Sequence, residues 1–83
     1  MSKESRNIEV EIILGKMAAV GMAVDGYNAA NTLRSANGNS VAYGSSAFFK
    51  AADKMRGYVK RLEAIKAEIE QEEEAEFYSR NLI

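Results

Sequence analysis

The chain contains no cysteine, no histidine and no proline. Without cysteine no disulfide can tie the fold together, and without cysteine or histidine the usual zinc ligand sets are missing. The same absences remove the Ser-His-Asp and Cys-His nucleophilic arrangements and the histidine-rich metal triads. Long hydrophobic runs are missing too. The longest mostly apolar stretch, Ile12 to Val24, is interrupted by Lys16 and is shorter than the roughly 20 residues of a membrane-spanning helix. Glu4, Glu9 and Glu11 precede it, which is not the order of features in a secretory signal. A soluble, cytoplasmic protein with no membrane partner is expected. The formal net charge of -1 points to no class of partner.

At 83 residues the chain makes one domain, and a domain this small buries a modest share of its surface. With disulfides and zinc excluded, oligomerisation is the remaining common source of extra stability. The apolar fraction of 47% argues against a wholly disordered chain.

The organising stretch runs from Ser46 to Phe77. Its apolar residues fall at Phe48, Ala51, Met55, Tyr58, Leu62, Ile65 and Ile69, steps of three and four that gather them on one side of a helix. The stretch is rich in alanine, lysine, arginine and glutamate and has one internal glycine, Gly57, so intrinsic propensity agrees with the pattern. Ser45 or Ser46 can cap its start.

Ahead of it, residues 1–6 are polar and expected to fray. Residues 7–36 read as a first helix, although residues 7–14 alternate with period two (Ile8, Val10 and Ile12 against Glu9 and Glu11) and carry a competing strand signal. A lone strand would leave its backbone groups unpaired, and Val41 to Tyr43 is the only other candidate, so the helix is preferred. This helix has two apolar stripes. One holds Ile13, Met17, Val20, Val24 and Tyr27; the other holds Ile8, Ile12, Gly15, Ala19, Met22, Gly26, Ala29 and Leu33. Two stripes imply two things to pack against. Each helical glycine costs about 1 kcal/mol against alanine, so Gly15, Gly21 and Gly26 ask for close helix packing, a kink or a near approach to the backbone. Gly15, Ala19, Met22, Gly26, Ala29 and Leu33 are the candidate self-association residues.

Asn37-Gly38-Asn39 ends the first helix, because glycine or asparagine just past a last turn readily takes the left-handed conformation. Residues 37–45 form the connection, with Val41 and Tyr43 covering the end of the helix pair that it closes. Residues 46–77 form the second helix and residues 78–83 a tail. The expected fold is all-α, a long antiparallel helical hairpin that self-associates into a helical bundle.

Charge is segregated along the second helix. Lys50, Lys54, Arg56, Lys60 and Arg61 lie in its first half, against Asp53 alone, and seven glutamates lie between Glu63 and Glu76, against Lys66 alone. This opposes the helix dipole. Two copies packed antiparallel would turn it to advantage, as would a partner with its own charged surface. Lys50, Lys54 and Arg61, with Tyr58 at their edge, form a stripe that could meet a phosphate backbone. Asn37-Gly38-Asn39-Ser40 and Gly44-Ser45-Ser46 make a glycine-serine loop before a helix N-terminus, where phosphates bind, yet they match neither the P-loop nor the dinucleotide fingerprint. The glutamates at 70, 72, 73, 74 and 76 have nothing to desolvate them, and Ser45 and Ser46 approach Lys50 only in sequence, so neither group reads as catalytic. No cofactor is called for. Past the acidic run, Phe77, Tyr78, Leu82 and Ile83 restore an apolar surface.

In size and style the chain is similar to small accessory proteins of phages and other mobile elements, which often inhibit a host protein or defence complex by occupying its surface. No individual residue carries that resemblance. It implies a non-enzymatic inhibitor or adaptor in the host cytoplasm, acting on a larger protein or nucleoprotein complex, and it transfers no site; the candidate partner-binding residues, Lys50, Lys54, Tyr58, Arg61, Phe77, Tyr78 and Leu82, come from the charge and apolar patterns above. The alternative is a nucleotide or nucleic-acid binding protein that uses the basic stripe.

Overall fold

Good helix formers, with no proline to interrupt them, let both halves of the chain run as unbroken helices. The computed structural model describes residues 2–81, which form α1 (Lys3–Ala36) and α2 (Ser45–Asn81). The two pack side by side as an antiparallel hairpin measuring 74 × 19 × 15 Å. No strand occurs among the described residues, so the alternating segment at residues 7–14 is helical. No helix among them is long and apolar enough to cross a membrane.

Both helices are longer than the sequence pattern suggests. Helix α1 begins at Lys3, where residues 1–6 were expected to fray, because the Ser2 side chain accepts the Ser5 N–H at 3.1 Å and caps the first turn. Helix α2 continues past Phe77 to Asn81, where a tail from residue 78 was expected; Leu82 and Ile83 lie outside the described residues. At its start, the Gly44 carbonyl accepts the Ala47 N–H at 3.2 Å, so backbone, and not a serine side chain, closes that turn.

The end of α1 follows the glycine-asparagine signal. Gly38 has φ +73°, the left-handed region that favours glycine. The Gly38 N–H reaches Ser35 O at 3.0 Å and the Asn39 N–H reaches Arg34 O at 2.8 Å, the paired bonds of a Schellman motif.

The interface between the helices is a coiled-coil-like seam. On α1 the positions facing α2 are Arg6, Val10, Ile13, Met17, Val20, Val24, Tyr27 and Asn31, in alternating steps of four and three. On α2 the matching row is Phe48, Ala51, Met55, Tyr58, Leu62 and Ile65. Among the described residues the buried apolar side chains are Ile13, Ala51 and Ile65; Arg6 is buried as well, and the rest of the two rows is half-buried. Two helices alone cannot enclose a side chain on every side. Ile69, expected to close the seam, is exposed and stands among Lys3, Arg6 and Asn7.

The two helices are also offset lengthwise. The last two turns of α1 extend beyond the start of α2, and the connection folds back along them until Tyr43 meets Asn31 and Tyr27. At the opposite end α2 outruns α1, since Glu72 and Glu76 already lie beside Lys3.

Candidate functional site

Three surfaces collect the residues that the sequence marks out. The first is the outer face of α1, which at its N-terminal end borders α2, since Ile8 and Ile12 line an open groove with Tyr58 and Arg61. There Ile8, Ile12, Gly15, Ala19, Met22, Gly26, Ala29 and Leu33 follow each other in unbroken steps of four and three, and every one is exposed. Met22 is 74% exposed and Leu33 65%, high values for large apolar side chains. A Cβ built on Gly15, Gly21 or Gly26 would meet nothing within 4 Å, so these glycines are not there to let α2 approach α1. Ile8 and Ile12 continue the row of candidate self-association residues. The same alternation of steps marks them in the sequence.

The second surface lies at the connection. Tyr43 stacks on Tyr27 with ring centroids 4.3 Å apart, and Phe48 meets Tyr27 edge-on at 5.9 Å. The Asn31 amide clamps Tyr43 at both backbone groups: its Nδ2 donates to Tyr43 O at 2.8 Å and its Oδ1 accepts the Tyr43 N–H at 2.9 Å. Arg34 Nε donates to Ser40 O at 2.6 Å. Val41, expected beside Tyr43 as a cover, stays exposed. Beside this cluster a groove of about 430 Å³ is lined by both tyrosines and by Lys50, Asp53 and Lys54. The two tyrosines were legible in the sequence only as packing residues.

Arg61, placed by the sequence in the same basic stripe, is committed elsewhere. Its Nε donates to Glu9 Oε1 at 2.5 Å and its Nη2 to Glu9 Oε2 at 3.1 Å, with Glu68 3.6 Å away. Tyr58 is half-buried between the helices. The stripe therefore reduces to Lys50 and Lys54 as cations outside this network.

The third surface is the open end. Phe77 and Tyr78 are both exposed, ring centroids 5.8 Å apart, on the part of α2 that outruns α1. Leu82, grouped with them in the sequence, lies outside the described residues. Just inside this end, Arg6 is 5% exposed and meets Glu72 as a two-pronged pair, Nη1 to Oε1 at 2.9 Å and Nη2 to Oε2 at 2.5 Å. Its Nε finds no acceptor among the described residues. Hydrogen bonds from Arg6 hold the Glu72 carboxyl below its ordinary range, and those from Arg61 do the same for Glu9, against the opposing effect of burial. Two of the segregated charges of α2, Arg61 and Glu72, are thus answered by α1 of the same chain. Among the described residues no cluster of three acidic side chains is placed to hold a metal ion.

No family model, no curated protein and no solved structure matches this chain.

Proposed function

We propose that the chain is a non-enzymatic binding protein that acts as an inhibitor or adaptor, occupying the surface of a larger protein assembly. In its mobile-element version that assembly is a host protein or defence complex. The reading rests chiefly on the pair Phe77 and Tyr78, held in the open on a helical extension just past an acidic run. Aromatic side chains of this kind anchor protein interfaces, because they bury a large area while losing little conformational freedom. The test is affinity capture of host proteins with the native chain and with Phe77→Ala/Tyr78→Ala. A protein held by the native chain and lost with the double variant supports the proposal; equal retention by both sinks it.

The groove at the connection favours a second reading, a nucleotide or single-stranded nucleic acid. Lys50 and Lys54 would meet phosphate, and the Tyr27–Tyr43 stack would offer an aromatic face to a base. Binding that falls steeply with salt and is abolished by Lys50→Glu/Lys54→Glu would favour it. Salt-independent protein binding that survives this double substitution would favour the first reading.

A further inference from the structure

We propose that the outer face of α1 packs against the same face of a second copy, antiparallel, about a two-fold axis that passes between residues 20 and 21. The inference goes beyond the binding function above and uses different residues.

A single chain leaves much surface uncovered. Its solvent-accessible area is 6470 Å², against roughly 4,900 Å² for a compact chain of 9.1 kDa by the usual size scaling. The difference, on the order of 1,600 Å², exceeds the roughly 800 Å² per partner that a standard interface removes from water. The exposed row from Ile8 to Leu33 spans about 38 Å at 1.5 Å per residue. Its strict four-three alternation is the repeat that keeps a seam facing one partner helix. A helix with no partner on that side would have no need to keep it.

The row complements itself when reversed. Antiparallel pairing about residues 20 and 21 sets Ile8 opposite Leu33, Ile12 opposite Ala29, Gly15 opposite Gly26 and Ala19 opposite Met22. The large side chains meet at the ends, Met22 lies over a small residue, and the two glycines share one layer where the backbones come closest. Those glycines have open space around them within the single chain, which a second helix would fill. Parallel pairing would instead stack each residue on its own copy, Met22 on Met22 among them.

The flanking charges are compatible with this arrangement and leave the orientation to packing. Antiparallel pairing sets Glu11 beside Thr32, Lys16 beside Ala23 and Asp25 beside Ala18, so no like charges meet across the seam. Parallel pairing sets Glu11 beside Lys16 but also Glu4 beside Glu9, an attraction and a repulsion that offset each other. Size complementarity therefore decides for the antiparallel pair. Because α2 lies on the far side of each α1, the groove with Lys50 and Lys54 stays open in the dimer. Each end of the dimer then carries one Phe77–Tyr78 tip and one connection.

Light scattering of the full chain through a dilution series should give twice the chain mass at high concentration. Met22→Glu, an exposed position, should restore the single-chain mass with helix content unchanged by circular dichroism. Since the chain has no cysteine, orientation can be read directly: after oxidation of an equimolar mixture of Gly15→Cys and Gly26→Cys chains, the mixed disulfide pair should dominate. A backup that does not depend on a charged variant compares Gly26→Ala with Gly21→Ala, which lies off the row. Both should raise the melting temperature of the dissociated chain, and only Gly26→Ala should weaken association. A single-chain mass at every concentration, or a dimer indifferent to Met22→Glu, overturns the proposal. Dominance of the like disulfide pairs overturns the antiparallel arrangement. The Phe77 and Tyr78 variants lie outside the seam, so failure of either proposal is visible without the other.

Discussion

The two ends of the hairpin are held by different physics. Near the connection, neutral contacts hold the helices: the Tyr27, Tyr43 and Phe48 rings and the Asn31 clamp on the Tyr43 backbone. Near the open end, paired charges do so, Arg6 with Glu72 and Arg61 with Glu9. Aromatic contact is indifferent to pH and weakly dependent on salt, whereas carboxylate pairs depend on ionisation. The open end is therefore the end that solution conditions can loosen, and it carries the exposed Phe77 and Tyr78.

The largest effect should come from the core beneath the charges of the open end. Ile65, 2% exposed, stands on α2 between Arg61 and Glu72, and Ile65→Ala should destabilise the hairpin by about 2–5 kcal/mol, read as a lower denaturation midpoint at an unchanged slope. A loss below about 1 kcal/mol would show that the paired charges, and not the thin core, hold that end.

Acid should separate the ends next. Glu9 and Glu72 are held below their unfolded carboxyl values, so their contribution is full above about pH 4.3 and is lost as pH falls through the lower folded values. Amide protection, taken relative to the intrinsic exchange rate at each pH, should fall in residues 3–13 over that acidic window while it holds near Tyr27. An equal fall at both ends would break the comparison.

Tyr43→Ala should cost about 1 kcal/mol, with faster exchange confined to the connection and no change in the acid response of the open end. The smallest effect belongs to a control. The exposed Arg56–Asp53 pair, one turn apart on α2, holds neither end, and Arg56→Ala should change stability by less than about 0.5 kcal/mol. Thermal melts of the two variants side by side would sharpen the contrast.

Much of this architecture was legible in the sequence because it is periodic. The steps of three and four gave both helices, the row on α2 and the two stripes of α1. Asn37-Gly38-Asn39 marked the turn by its chemistry, and the Schellman bonds follow from it. The ends of the helices were less legible. Residues 1–6 look polar and frayed, yet Ser2 caps a helix that starts at Lys3 and Arg6 is buried against a glutamate 66 positions away, a contact that no local pattern encodes. Tyr78 and the residues after it follow an acidic gap in the seam and read as a tail, although the backbone remains helical to Asn81.

Local propensity and pattern thus determined that this chain would be helical, where it would turn, and which residues were apolar together, because each of those depends on neighbours within a few positions. Tertiary structure decided which stripe of α1 faces α2, that Arg61 is tied to Glu9 while Lys50 and Lys54 line a groove with two tyrosines, and that the small-residue stripe stays uncovered in the single chain. The reason is register. A helix wheel ranks faces but does not say how far one helix slides along another, and that offset sets which charges meet and which aromatic residues overhang.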